Sequence, residues 1–95
     1  MNVLRYNELD TAGLTVHVDR AEHFLQEGNF RAADAQKLTG TPFYRAKLTD
    51  TDRLLFRFAR RGDETLILLL EVIRNHAYAR SRFLNGAVVD ESKIE

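Results

Sequence analysis

The chain has 95 residues, 44% hydrophobic and 29% charged, which suits one small domain near the lower limit at which a single core holds unaided. It has no cysteine, so disulfides, thiol catalysis and thiolate-ligated metal are excluded. The longest apolar run, residues 66–70, is far too short to cross a bilayer and no charged-then-apolar leader precedes it, so the expectation is a soluble cytoplasmic protein with no membrane partner.

The formal net charge of zero hides an uneven distribution. Residues 1–40 carry four Lys/Arg against six Asp/Glu, residues 41–83 nine against five, and residues 84–95 one against three. The basic excess sits in the middle of the chain, and a nucleic-acid ligand responds to the field of one face more than to the total.

Taken in order, residues 2–6 (NVLRY) form a short β-prone run ended by polar residues. Across residues 11–27, Leu14, His17, Val18, Ala21, Phe24 and Leu25 recur at helical spacing, and Gly28-Asn29 stops the helix. Asn29 can cap a second short helix over residues 30–38, with Phe30, Ala33 and Leu38 turned inward. Pro42 then sets up entry to a strand. Tyr44, Ala46 and Leu48 alternate with Phe43, Arg45 and Lys47, and Leu54, Phe56 and Phe58 alternate with Arg53, Leu55 and Arg57. The apolar set packs under the helices, leaving Arg45, Lys47, Arg53 and Arg57 toward solvent. Residues 61–64 (RGDE) supply a hairpin, with Gly62 free to take a positive φ. Residues 66–73 are apolar on both sides apart from Glu71, the pattern of a central strand. The expected architecture is α+β: an N-terminal strand, two short helices, then three further strands of an antiparallel sheet. The domain spans residues 1–86, and residues 87–95 form a polar tail or linker.

The order KLTG, YRAKL, RLLFRF, a hairpin, an apolar strand and RNHAY resembles the RelE/ParE superfamily of bacterial toxins over residues 36–83. Two departures stand out: the loop before Arg53 is one residue shorter, and the spacing after the last strand differs. The run LLEVIRNHAYARSRFL also resembles a RelE-like module at the start of UvrD/Rep-like superfamily-1 helicase proteins.

The RelE resemblance implies an mRNA interferase acting in the ribosomal A site, in which a 2′-hydroxyl attacks the adjacent phosphate. By position, Arg45 and Lys47 fall on the two basic sites of the first motif strand and Arg53 on the arginine opening the next. His76 and Tyr78 fall near the terminal base and stacking or proton-transfer sites. The chemistry asks for the same residue types. Metal-free RNA cleavage needs a base, an acid and fixed cations at the developing phosphorane charge, and a planar guanidinium such as Arg53 matches two phosphate oxygens. Lys47 or His76 would serve as base or acid, and Tyr78 would stack on a splayed base. Arg57, Arg74, Arg80 and Arg82 are further phosphate-contact candidates. No cofactor or metal is implied. Partners would be RNA or the ribosome, an antitoxin protein, or a covalently linked helicase domain.

Other roles for the same residues stay open. Arg53 and Arg57 could pair with Glu71 across the sheet, His76 could cap a loop, and His17 and His23 suit structural or surface positions. A non-catalytic nucleic-acid-binding or regulatory module of a helicase protein, or a ParE-like protein-interaction domain, would share the fold.

Overall fold

Downstream of Pro42 the alternating runs form strands. The computed structural model, which describes residues 1–94, contains β1 (Asn2–Arg5), α1 (Thr15–Gln26), β2 (Gln36–Lys37), β3 (Tyr44–Lys47), β4 (Arg53–Arg61) and β5 (Glu64–Ile73). Short 3₁₀ turns follow at Tyr78–Arg80 and Glu91–Lys93. The strands make one sheet in the order β1-β5-β4-β3-β2. No described helix is long and apolar enough to cross a membrane.

The β4–β5 hairpin is the longest pairing, and Gly62 takes φ 62° at the first central position of its two-residue turn. β5 lies between β1 and β4, as its two-sided apolarity requires. Ile67 and Leu69 join Ala46, Leu48, Leu54 and Phe56 beneath the buried stripe Leu14, Val18, Ala21 and Leu25 of the α1 region. Arg5 fixes α1 to β1, with Nε 2.9 Å from Glu22 and Nη2 2.8 Å from Asp19; the Glu22 hydrogen bond holds its guanidinium above the usual arginine range.

The α+β class stands, but four expectations need correction. The second helix is absent. The Asn29 side chain accepts the Ala32 N–H at 3.1 Å, as a cap would, yet only one turn forms before Asp34 adopts φ 49°. That single turn already buries Ala33, and Gln36 and Lys37 pair with the open edge of β3 instead. The N-terminal strand is parallel to β5, not antiparallel. The sheet has five strands, because β2 adds one.

The fourth correction concerns the face opposite α1, which is not left to solvent. Tyr6, Phe43, Leu55, Leu66, Leu68, Leu70 and Ile73 form a second core there, closed by the segment after β5. Phe83 is 4% exposed and meets Tyr6 edge-on at 5.4 Å. Residues 87–94, expected as a polar tail, lay Ala87, Val89 and Ile94 against this core, and Ile94 bridges Tyr6.

A bulge in β5 anchors the cover. Leu55 pairs with Glu71 and Phe56 with Leu69, so Leu70 is the extra residue and Glu71 shares its face. The Glu71 carboxylate accepts the buried Ser81 hydroxyl at 2.5 Å and the Arg82 N–H at 3.3 Å.

If residues 81–94 complete the core, Phe83→Ala should cost about 3–5 kcal/mol in equilibrium chemical denaturation. A change within about 0.5 kcal/mol, the size typical of a surface position, would show the segment to be peripheral.

Candidate nucleic-acid interface

The loop between β3 and β4, residues 49–52 (TDTD), holds two of the candidate side chains at once. It braces itself first: the Thr49 hydroxyl donates to Asp52 Oδ2 at 2.8 Å and accepts the Thr51 and Asp52 N–H groups at 3.2 and 3.1 Å. Its four carbonyls accept from two residues, Arg53 and His76. Those of Thr49 and Asp52 accept Arg53 Nη1 at 2.6 and 3.0 Å. Those of Thr51 and Asp50 accept the His76 backbone N–H at 2.9 Å and its ring Nε2 at 3.1 Å. A carbonyl only accepts, so this second contact requires hydrogen on Nε2 and leaves Nδ1 of a neutral ring with its lone pair.

The chain must turn sharply after β5 to bring His76 here. Asn75 and His76 both take left-handed φ values, 53° and 56°. Such conformations persist where surrounding contacts over-determine them, and the Asn75 N–H donates to Asp52 Oδ1 at 3.0 Å. That bond and the Thr49 hydroxyl hold the Asp52 carboxyl below its ordinary value of 3.8.

Leu38, Arg45, Arg53, His76 and Tyr78 line one depression of about 360 Å³. Arg45 is steadied by Gln36 Oε1, 2.8 Å from its Nη2, a contact that follows from the Gln36–Arg45 register of β2 and β3. Tyr78 is half-buried against the second core. Lys47 lies outside the depression, its Nζ 3.5 Å from Asp50.

The other candidate arginines scatter. Arg57 is half-buried on the same face of β4 as Arg53, opposite Leu68. Arg74 and Arg80 line a separate depression of about 600 Å³ beside Glu71 and Ser81, and Arg74 reaches the Asp10 carbonyl at 3.4 Å. Arg82 lies over the Phe83 ring and pairs with Glu8 at 2.7 Å, which also holds Lys93. Glu71 answers Ser81 and Arg82, and no ion pair to Arg53 or Arg57 occurs among the described residues. His17 and His23 are exposed on α1, with His23 3.1 Å from Glu27. Among the described residues no group of three or more His, Cys, Asp or Glu side chains converges as a metal site.

Leu38, Gln36 and the holding role of residues 49–52 were missed from sequence. The TDTD pattern carried a usable signal, since Ser, Thr and Asp at such spacing bond their own backbone.

No family model matches the chain, and no curated protein matches it. Its fold is similar to that of a solved structure described as a YoeB/ParE toxin from Agrobacterium tumefaciens, with a TM-score of 0.54 over 78% of this chain and 98% of that one. The chain shares the fold of that structure. At 12% identity the likeness is one of fold. None of these findings supports the helicase-associated module.

Within this fold the loop that carries His76 should respond to acid. Because the folded Asp52 pKa is depressed, its contribution is complete above 3.8 and is lost as pH falls through the lower folded value. The Asn75 amide proton should therefore shift with a midpoint below 3.8, and Asp52→Asn should abolish that titration in a pH series of NMR spectra. A midpoint at or above 3.8 would contradict the assignment.

Proposed function

We propose that this chain is the toxin of a toxin–antitoxin pair, directed at RNA, and that it cleaves mRNA at the ribosome without a metal. The observation that carries the reading is the convergence of Arg45, Arg53, His76 and Tyr78 on one depression of a toxin-like fold. Single-stranded RNA offers what these groups recognise: phosphates for the guanidinium groups and an unstacked base for the tyrosine. Its site of action would be the cytoplasm, and an antitoxin protein is its expected partner.

In this reading His76 Nδ1 takes the proton of the 2′-hydroxyl as its oxygen attacks the adjacent phosphorus, and the bond to the 5′-oxygen breaks. The products are a 2′,3′-cyclic phosphate and a 5′-hydroxyl. The 5′-oxygen is protonated as it leaves, by water or by His76 once it has become an imidazolium. Arg53 faces the charge that builds on the phosphoryl oxygens. Its Nη1 is committed to the loop carbonyls, which fixes the plane of the guanidinium before substrate arrives. Fixing donors in advance is what makes such charge stabilisation effective. Arg45 binds a neighbouring phosphate. Lys47, outside the depression, takes no direct part in this step.

Expression should arrest growth and generate new mRNA 5′ ends in primer extension. Arg53→Ala should lower cleavage about 10²–10³-fold and relieve the arrest, with the domain still folded by circular dichroism. Absence of both arrest and new ends with the wild-type chain would reject the interferase reading. Single-stranded RNA binding that persists without cleavage would leave a binding module of the same surface.

A further inference from the structure

Two buried side-chain polar atoms lack a hydrogen-bond partner among the described residues, and both are arginine Nε atoms, of Arg53 and Arg57. Buried donors are nearly always satisfied, so each orphan calls for an explanation. These two stand on the same face of the same strand, four residues apart, which is roughly 13 Å along β4. Neither arginine is in an ion pair among the described residues. Glu71, the carboxylate that faces this side of the sheet, is taken by Ser81 and the Arg82 N–H. Arg45 stands between them on the neighbouring strand, opposite Leu55.

The Nε atoms are themselves enclosed, so a phosphate would meet the outer Nη groups; those of Arg57 donate no hydrogen bond among the described residues, and a planar guanidinium left uncommitted in this way is suited to a phosphate. One phosphate, or a pyrophosphate, is too short to serve two such groups at this separation. A polymer carrying phosphates at regular intervals reaches both. We infer that Arg57 forms a second phosphate subsite, so that β4 carries one RNA strand past Arg53, Arg45 and Arg57 in turn. This rests on the RNA reading above and adds to it a binding track longer than the depression itself. Phe43, the residue before Tyr44 and so facing Arg57 across the strands, and Leu68 on the other side bound the second subsite.

Fluorescence anisotropy with uridine oligomers, from a dinucleotide to about a dozen nucleotides, tests the track. For the wild-type chain, log affinity against log salt should steepen with length, by about 0.7 per phosphate gained. Arg57→Gln should remove about one such step on the longer oligomers, with a smaller loss on the dinucleotide. Arg53→Gln should weaken every length. Arg57→Met, which keeps the apolar stem, serves if the Gln variant fails to fold. Binding that needs Arg53 but has the wild-type salt slope at every length in both Arg57 variants overturns the second subsite and leaves the RNA reading standing. No binding by the wild-type chain at any length in low salt overturns both. Inorganic phosphate binding that is lost in Arg57→Gln, without any length dependence for RNA, would assign Arg57 an isolated anion and overturn the track.

Discussion

β5 buries side chains on both of its faces, and the rest of the molecule is arranged to satisfy that demand. Ile67 and Leu69 point toward α1, while Leu66, Leu68 and Leu70 point the other way. A sheet apolar on both sides needs two covers. With one helix available, the second cover is irregular chain, the segment after β5 that carries Phe83, Leu84, Ala87, Val89 and Ile94. Irregular chain over a core must find partners for its own polar groups. Glu71, placed on that side by the bulge at Leu70, supplies two of them through Ser81 and Arg82.

The strands were legible where alternation was strict. Leu54 and Phe56 face α1 as their period required, and the unbroken apolar run of β5 announced a central position. The RelE-like order of motifs agreed with the fold found. What failed depended on contacts between residues far apart in sequence. Phe30 and Ala33 fit a helix face, but one turn was enough to bury Ala33, and the free edge of β3 captured Gln36 and Lys37. Nothing local distinguishes a parallel from an antiparallel partner for β1. The segment after β5 read as polar because its apolar residues have no period, and irregular covers have none.

The site was legible as a set of residue types and much less so as an arrangement. Arg45, Arg53, His76 and Tyr78 share a depression, whereas Lys47, named on the same grounds, lies outside it and borders a groove with His17, Arg20 and Phe24 of α1. Period 2 gives the face of a side chain but not where its tip settles, and the Lys47 ammonium settles 3.5 Å from Asp50, outside the depression. The loop of residues 49–52 does the opposite for Arg53 and His76. One short stretch of backbone fixes a guanidinium from β4 and an imidazole from beyond β5, so the relative position of the two groups is set by its length and hydrogen bonds.

The parallel placement of β1 bears on how the chain acquires its shape. Asn2–Arg5 lie against residues 66–69, and the following Tyr6 is buried beneath Phe83 and bridged by Ile94. β1 is therefore an edge strand whose partner lies far along the chain. Closures between such distant segments are slow relative to local ones. Without β1 and the segment after β5, the leucines of the β4–β5 hairpin would be left uncovered, and uncovered apolar strands favour aggregation. The second core, and with it the seat of Tyr78, is complete only when Tyr6 and the segment after β5 are both in place, so the depression depends on contacts between the two ends of this fold.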